Sequence, residues 1–463
     1  MIYQTDDTIC AVSTPRGIGG IAVIRVSGPK AVAITDTLWR GTTLSNVKSH
    51  TAHYGEIIDP ERPDTPLDQC VATVFKAPKS YTGEDTVEIS VHGSAWIQRE
   101  LIRLLIANGC RLAERGEFTR RALTHGRIDL TQAEGIADII ASTSRAAHRI
   151  AMSQMKGSIS RRLSTLRQQL VDISALLELE LDFSEEDVEF ADRTRLSRLA
   201  TDIFDELSRL HSTFKTGNAI KQGIPVAIAG ATNAGKSSLL NTLLQDDRAI
   251  VSDIHGTTRD TIEETLEIGD YLFRFIDTAG LRHTTDEIER IGIQRSHEAI
   301  GHASILLFVI DACQTFNPES LQLLNETGSD TGIIVINKTD VADADEISRI
   351  TQQVRAMSSL PIATISAKNG SGIENLKAMI IDAVSADFPA EEDTIITNLR
   401  QAEALGKAAT STQELLTALD AGIPTDLVAQ HLRETLSHLS SITGTIPSTE
   451  ILNTIFSRFC IGK

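Results

Sequence analysis

Apolar and polar residues alternate along the first part of the chain in a pattern typical of a mixed domain. Up to about residue 118, short apolar runs are separated by turns that contain Gly, Pro and Asp. Helical spacing is found near Lys30–Trp39 and Ala95–Asn108. The predicted strands are Thr8–Val12, Gly20–Val26, Gln69–Phe75 and Thr86–Val91. This order predicts an N-terminal α+β domain.

Helical patterns occupy two separate parts of the chain. The first extends from Phe118 to about Lys215, and its acidic stretch Phe183–Phe190 predicts a junction between two helices. The second begins after Pro389 and continues to the end. Because the termini of a compact domain are often close together, one domain can be inserted into another. We therefore expect one helical domain, interrupted by the segment between the two parts.

Strand and helix patterns alternate in that central segment. The predicted strands include Ile224–Ala229, Tyr271–Ile276, Gly332–Ile336 and Ile362–Ile365. Such alternation favours a doubly wound parallel sheet. The resulting division is 1–118, 119–215, 216–385 and 386–463.

A phosphate-binding loop follows the first of these central strands. The sequence GATNAGKSS has the form G-x-x-x-x-G-K-[ST] and precedes a helical stretch. Gly230 and Gly235 let the backbone turn tightly, so that several N–H groups point at one anion. Lys236 would place its charge at the β- and γ-phosphates, and the Ser237 hydroxyl would bind Mg²⁺.

Motifs for the rest of a guanine nucleotide follow in order. GTTRD at 256–260 offers Thr257 or Thr258 to Mg²⁺, and DTAG at 277–280 places Asp277 for Mg²⁺ and the Gly280 N–H for the γ-phosphate. NKTD at 337–340 and SAK at 366–368 provide the base site. Asn337 suits the carbonyl and N7 edge of guanine, and Asp340 accepts from N1 and N2, which adenine cannot satisfy. The ordered set predicts GTP binding.

Two positions depart from a simple GTPase. Leu281 follows DTAG, where many small GTPases carry a glutamine that orients the attacking water. Glu289, Arg282 and Arg290 are candidates to replace it, or they are solvated charges on a switch helix.

Asn233, inside the phosphate loop, also has two interpretations. Its amide oxygen could bind K⁺ beside the phosphates, where an arginine finger would deliver its charge in other GTPases. Alternatively, Asn233 is only a good turn former.

Composition sets further bounds. The chain has 463 residues, a net charge of −18 and 41% hydrophobic residues, which is ordinary for two to four soluble domains. It contains no apolar run of membrane-spanning length, and its five scattered cysteines form no C-x-x-C pair. We therefore expect a cytoplasmic protein without a membrane segment, disulfide framework or zinc site. Acidic and basic residues balance in 1–121, and no broad basic groove for nucleic acid is visible.

Several motifs together resemble one family. They are TPRGIGGIAVIRVSG near the N-terminus, TGED at 82–85, RGEFTRRA at 115–122, DLTQAEGIADII at 129–140 and FCIGK at 459–463. With the inserted GTPase segment, they are similar over essentially the whole chain to the tRNA modification GTPase MnmE family, also called TrmE. Thr232 departs from the family's usual proline, and Arg127 stands where some members have lysine.

The resemblance implies a fold and a reaction. The N-terminal domain would bind tetrahydrofolate and form a homodimer, while a Ras-like G domain is inserted into a discontinuous helical domain. A complex with an FAD-containing partner would modify C5 of the wobble uridine of certain tRNAs, adding an aminomethyl or carboxymethylaminomethyl group. The one-carbon unit would come from 5-formyl- or 5,10-methylene-tetrahydrofolate. GTP hydrolysis would be stimulated by K⁺ through dimerisation of the G domains.

The resemblance also implies residue roles. Lys236, Asp277 and Glu289 would be catalytic, with Glu289 positioning the attacking water. Ser237 and Thr258 would hold Mg²⁺. The K⁺ ligands would be Asn233, Ser252, Ile254 and Thr257. The GTP-binding residues would be Asn233, Ala234, Gly235, Lys236, Ser237, Ser238, Ser252, Asp253, Ile254, His255, Gly256, Thr257, Thr258, Asp277, Thr278, Ala279, Gly280, Asn337, Lys338, Asp340, Ser366, Ala367 and Lys368.

The folate site implied by the resemblance consists of Arg25, Glu88, Arg127 and Lys463. The two arginines would pair with the glutamate carboxylates of the folate, and Glu88 would bind the donor edge of the pterin. Cys460 is either a nucleophile near the one-carbon site or a small buried hydrophobe.

Two other functional classes remain compatible with a G domain. One is a GTP-switched binding protein such as a ribosome-assembly factor, which would be expected to carry a basic RNA-binding module. The other is a folate-dependent one-carbon transferase that GTP regulates. Tetrahydrofolate binding without tRNA turnover would favour the latter.

Overall fold

The computed structural model describes residues 6–15, 17–182, 193–245, 263–277, 303–316, 331–387, 394–444, 455–456, 459 and 462. The chain divides into two compact units. The first contains Met1–Ala137, Gln154–Ala200 and Thr410–Lys463, and the second contains Asp138–Ser153 and Thr201–Ala409. The predicted helix junction at 183–190 lies outside the described residues. The four-part division of the chain stays a prediction.

A seven-stranded sheet forms the N-terminal part of the first unit. Its strands are β1 (Thr8–Val12), β2 (Gly19–Ser27), β3 (Trp39–Gly41), β4 (Thr51–Asp59), β5 (Arg62–Phe75), β6 (Thr86–Gly93) and β7 (Cys110–Leu112). Their order is β3-β4-β5-β6-β2-β1-β7, and only the β1–β7 pair is parallel. Helices α1 (Ala31–Thr37) and α2 (Ala95–Ala107) share an apolar core with this sheet.

Alternation explains which face of this sheet is buried. In β2, Ala22, Ile24 and Val26 are buried, and the residues between them are more exposed. The predicted α+β character is confirmed. One boundary was wrong, because Trp39 begins β3 instead of ending the preceding helix.

Helices account for most of the described residues of the first unit that lie outside this sheet and its two helices, and some of them include residues of the second unit. They are α3 (Glu117–Thr124), α4 (Leu130–Ala141), α5 (Arg145–Met155), α6 (Ser158–Asp182), α7 (Arg193–Gln222), α11 (Leu399–Asp420) and α12 (Thr425–Thr443). Helices α6 and α12 pack against each other. The predicted helical character is confirmed in the described part, although α7 continues past residue 215 to Gln222.

A six-stranded sheet forms the centre of the second unit. Its strands are β8 (Ile224–Gly230), β9 (Glu263–Ile268), β10 (Tyr271–Asp277), β11 (Ile305–Asp311), β12 (Gly332–Asn337) and β13 (Ile362–Thr364). The order is β13-β12-β11-β8-β10-β9, with β9 antiparallel at the edge and the other neighbours parallel. Its helices are α8 (Lys236–Gln245), α9 (Ala344–Met357) and α10 (Ile373–Asp387).

Two apolar cores flank this sheet. Val226 and Ile228 of β8 lie in one core with α8 and α10, while Ala227 and Ala229 lie in another with α9. Because successive side chains of a strand point to opposite faces, the sheet is covered on both sides. The predicted doubly wound fold is confirmed, with an antiparallel edge strand added.

Among the described residues, no helix combines the length and the apolar character that crossing a membrane requires. The expected cytoplasmic location stays a prediction.

Candidate guanine-nucleotide and folate sites

The phosphate loop joins the carboxyl end of β8 to α8, and both of its glycines are required sterically. Gly230 has a φ of 144°, and a Cβ there would collide with the carbonyl of Val309. Gly235 has a φ of 96°, and a Cβ there would collide with the side-chain amide of Asn337. Larger residues at these two positions would therefore disrupt the turn at Gly230 and the contact between Gly235 and Asn337.

The start of α8 is arranged for an anion. Helix α8 begins at Lys236, so the free N–H groups of its first turn and its dipole favour negative charge there. The Lys236 ammonium donates to the carbonyls of Gly230, at 2.8 Å, and Ala231, at 2.9 Å. Ser237 is exposed on the same turn, and its hydroxyl is accessible to a cation.

Asn233 takes a left-handed backbone conformation, with a φ of 63°. Asparagine tolerates this region better than most residues, which is what the turn-forming interpretation requires. Its side chain is exposed, so the K⁺ interpretation also stays open as a prediction.

Asn337 holds three of the predicted motifs together. Its amide nitrogen donates to the carbonyl of Ala234 at 2.9 Å, and its amide oxygen accepts from the Ala367 N–H at 3.0 Å. The residue is 2% exposed. NKTD is thereby tied to the phosphate loop on one side and to SAK on the other, and this fixes the spacing between the base and phosphate positions.

The Asp340 carboxylate is oriented by a neighbour from SAK. Ser366 donates its hydroxyl to Oδ1 of Asp340 at 2.7 Å, and Ser366 is fully buried. One carboxylate oxygen is therefore fixed by the protein, and Asp340 itself is exposed. A positioned, accessible carboxylate is what recognition of the guanine N1–H and N2–H groups needs.

Asp311 and Thr242 were missed by the sequence analysis. The Lys338 ammonium donates to Asp311 at 2.7 Å, and the Thr242 hydroxyl donates to the carbonyl of Ala367 at 2.6 Å. Both contacts brace the predicted base loops. Asp311 could have been predicted from the sequence, because it ends the apolar run of β11. The carboxyl ends of such strands are where these sheets bind ligands.

Arg25 and Glu88, both predicted folate ligands, form an ion pair. They are direct partners on β2 and β6, and Nη2 of Arg25 lies 2.7 Å from Oε1 of Glu88. The guanidinium lies 5.3 Å from the ring centre of Tyr81 and 5.5 Å from that of Phe118. Both distances are within cation–π range, so two aromatic rings that sequence reasoning did not single out help to fix Arg25.

Arg127 lies beside the TGED loop. A Cβ at Gly83 would come within 3.3 Å of Cγ of Arg127. Nδ1 of His125 and the carbonyl of Thr82 are 2.8 Å apart and form a hydrogen bond. Arg127 therefore lies beside Gly83 of TGED, and Arg25 contacts Tyr81, the residue that precedes this motif.

A network of ion pairs centred on Arg121 lies next to the TGED loop. Arg121, which is 3% exposed, pairs with Asp7 at 2.6 Å, Glu84 at 3.0 Å and Glu117 at 3.1 Å. Burial acts to raise the pKa of Glu117, but hydrogen bonds from Arg111 and the Glu114 N–H, with the nearby guanidinium charges, hold that pKa below its usual value. Glu84 of TGED and Glu117 and Arg121 of RGEFTRRA are therefore joined in one ion network inside the first unit.

The described residues near the C-terminus contact other parts of the first unit. Phe456 and Phe459 are buried and share an apolar cluster with Ala133. Burial of each phenylalanine contributes roughly 1.5–3 kcal/mol. Further on, the Ser13 hydroxyl donates to the carbonyl of Gly462 at 3.0 Å, so the tail reaches the end of β1.

The sequence matches known families along most of its length. Residues 130–460 match the family described as "MnmE helical domain", and residues 8–127 match "GTP-binding protein TrmE N-terminus". The protein named tRNA modification GTPase MnmE from Flavobacterium johnsoniae is 45% identical over 472 residues, covering 100% of both chains. The protein of the same name from Porphyromonas gingivalis is 47% identical over 469 residues, covering 99% of this chain and 98% of its own.

The chain belongs to the tRNA modification GTPase MnmE family. The family expected from the motifs is therefore confirmed.

Solved structures with lower similarity were also found. Aquifex aeolicus Era bound to GDP and AlF₄⁻ is 27% identical and covers 41% of this chain and 67% of its own, with a TM-score of 0.29. The G domain of T. maritima FeoB is 28% identical and covers 35% and 98%, with a TM-score of 0.25. Because both TM-scores are low, membership of the MnmE family rests on the sequence relatives.

Some predicted site residues lie outside the described residues. They are Ser252, Asp253, Ile254, His255, Gly256, Thr257, Thr258, Thr278, Ala279, Gly280, Leu281, Arg282, Glu289, Arg290, Cys460 and Lys463. Asp277, the first residue of DTAG, ends β10 and pairs with Ile228 of β8, the strand that leads into the phosphate loop. The roles expected of these residues in an MnmE family member stay predictions.

Proposed function

We propose that this chain is a K⁺-stimulated GTPase that acts with an FAD-containing partner to modify C5 of the wobble uridine in certain tRNAs. Family membership gives the coarser statement, a GTP hydrolase acting in tRNA modification. The observation that supports guanine nucleotide as the ligand is the bridge made by Asn337 between the phosphate loop and SAK.

The described residues fit GTP and Mg²⁺. Glycine at position 235 lets the phosphate loop lie against Asn337, since a Cβ there would collide with the Asn337 side-chain amide. When GTP binds, Lys236 would exchange its two carbonyl acceptors for phosphate oxygens and neutralise charge as the γ-phosphate leaves. Ser237, with Thr258, would hold Mg²⁺, and Asp340 would select guanine. Glu289 is proposed to orient water, since Leu281 has no polar atom to do so.

A potassium ion would supply the charge that an arginine finger supplies in other GTPases. Asn233, with Ser252, Ile254 and Thr257, is the proposed ligand set. Since the Asn233 side chain is exposed on the loop, its amide oxygen is accessible to such an ion. Closure of two G domains over it would exclude water and strengthen its effect.

We place a tetrahydrofolate derivative, in its 5-formyl or 5,10-methylene form, beside Arg25, Glu88, Arg127 and Lys463. Arg25 and Glu88 are part-exposed and already paired, so a folate carboxylate would have to share or replace Glu88 on the guanidinium. Phe456 and Phe459 are buried in the same unit as Arg25, which supports a role for the C-terminal motif beside the folate. Homodimer formation through this domain is part of the proposal.

Deleting residues 460–463 should abolish tRNA modification and leave GTP hydrolysis within about twofold of wild type. The deletion keeps Phe456 and Phe459, whose burial anchors the tail, so the fold should persist. The measurement is wobble-uridine modification in the presence of the partner, alongside phosphate release from GTP.

A Cys460→Ala variant is the matched control, because it separates loss of the thiol from loss of the tail. Modification that persists in the deletion would disprove the proposed role of the tail.

A further inference from the structure

The turn between β9 and β10 is held by the first residues of α5. The N–H of Ala146 donates to the carbonyl of Asp270 at 2.9 Å, and the Arg145 guanidinium lies 3.5 Å from the Asp270 carboxylate. Since Ala146 is in the first turn of its helix, its N–H has no partner within the helix. The G-domain turn therefore caps this helix.

Apolar packing reinforces the cap. Ala146 is 2% exposed and Ile150 is 7% exposed, and both share one apolar cluster with Leu266, Ile268 and Tyr271 of the hairpin. The Arg145–Asp270 pair is exposed on both sides and contributes little. Burial and the backbone hydrogen bond hold the two elements together.

The other ends of these strands lead directly to the nucleotide motifs. GTTRD ends three residues before β9 begins, and β10 ends at Asp277, the first residue of DTAG. The hairpin is paired along its length, with six residue pairs between Tyr271–Ile268 and Ile276–Glu263. Continuous strand pairing therefore connects the nucleotide end of the hairpin to the turn at Asp270.

Helix α5 is shared by the two compact units. Its residues up to Ser153 belong to the second unit, and Gln154 and Met155 belong to the first. In the first unit, the carbonyl of Met155 accepts from the Gln132 amide at 3.0 Å, and Gly135 leaves no room for a Cβ against the Met155 backbone. A helix of eleven residues is thus anchored at both ends.

We propose that Ala146 and Ile150 are positioning residues, through which α5 carries the nucleotide state of the β9–β10 hairpin to the helical part of the chain. The expected effect on tRNA modification rests on the proposed function. Transmission through α5 itself requires only that the G domain binds nucleotide. It assigns a role to the segment 138–153, which the sequence pattern placed with the helical domain and the structure groups with the GTPase.

Hydrogen exchange of the peptide covering 144–153 tests the inference directly. We expect amide exchange in this peptide to differ by about tenfold between the GDP state and a state with a non-hydrolysable GTP analogue and KCl. Identical exchange in the two states of the wild-type chain would overturn the inference, whether or not tRNA is modified.

Ala146→Pro removes the donor without breaking an intrahelical hydrogen bond, because proline is tolerated in the first turn. The nucleotide dependence of exchange should disappear in this variant. Modified tRNA formed per GTP hydrolysed should fall about tenfold, while GTP hydrolysis stays within about twofold. Retention of wild-type coupling in Ala146→Pro would contradict the role of the cap.

Two further variants complete the design. Arg145→Pro makes the same substitution one residue earlier, keeps the Ala146 N–H, and should leave coupling intact. Ile150→Ala reduces the packing without altering the backbone and should weaken coupling in the same direction as Ala146→Pro. If the wild-type protein shows nucleotide-dependent exchange but modifies no tRNA, the proposed function fails and the transmission through α5 stands.

Discussion

Replacing Lys236 by alanine is expected to lower kcat for GTP hydrolysis by about 10²–10³-fold. The Lys236 ammonium is held by the carbonyls of Gly230 and Ala231, so it is already placed at the phosphate loop. Alanine removes the point charge and leaves the loop glycines and the helix N-terminus in place. Phosphate release under saturating GTP and Mg²⁺ measures the effect.

Lys407→Ala is the matched control for this variant. Lys407 is exposed on α11, outside the predicted nucleotide site, and its replacement should leave kcat unchanged. If Lys236→Ala hydrolysed GTP at the wild-type rate, the assignment of the phosphate loop would be wrong. Circular dichroism on both variants separates a catalytic loss from misfolding.

Asp340→Asn should exchange the base preference of the site from GTP to xanthosine triphosphate. A carboxylate accepts from N1–H and N2–H of guanine, and each charge-assisted hydrogen bond is worth about 1.5–3 kcal/mol. The amide of asparagine keeps one acceptor oxygen but sets its NH₂ donor against the guanine N2–H donor, which predicts a fall in GTP affinity of roughly 100-fold, with a gain for a base that carries a carbonyl in place of the amine. Competition binding with the two nucleotides gives the ratio.

The substitution Asp340→Asn should change base recognition without disturbing the loop. In the Asp340→Asn variant, Ser366 can still donate its hydroxyl to the oxygen of the new side-chain amide, so the loop should keep its conformation. Asp382→Asn on the exposed face of α10 is the control and should leave the preference unchanged. An unchanged preference in Asp340→Asn would remove the basis for guanine recognition by NKTD.

The nucleotide site was largely predictable because its motifs combine fixed spacing with strand ends. Strands β8, β10 and β12 were each read from apolar runs, and each motif follows its strand at the carboxyl edge. The two hydrogen bonds of Asn337 could not be predicted from the sequence, since they depend on how the phosphate loop and SAK lie relative to NKTD in space. Asp311 could have been found by its position at the end of β11.

The N-terminal sheet was predicted less completely. Strand β4, TAHYGEIID, was missed because its polar residues and glycine give only weak alternation. The first half of β5 was also missed, since RPDTPLD has two prolines and is mostly exposed, as an edge-like extension is. Register could not be read from one sequence, so the pairing of Arg25 with Glu88 and the two rings around Arg25 are structural findings.

The role of residues 138–153 could not be predicted for a similar reason. Their helical pattern is the same as that of their neighbours, and their grouping with the GTPase comes from the carbonyl of Asp270 and the apolar hairpin residues. These partners lie more than a hundred positions away in the sequence.

Steady-state GTP hydrolysis in KCl and in NaCl at equal ionic strength tests the central claim most directly. The proposed function predicts stimulation of about tenfold or more by K⁺ alone, because K⁺ at Asn233 would replace an arginine finger while Leu281 cannot orient water. Equal, slow rates in the two salts would contradict it. They would instead indicate a switch protein that needs an external activator, with Asn233 serving only as a residue of the turn.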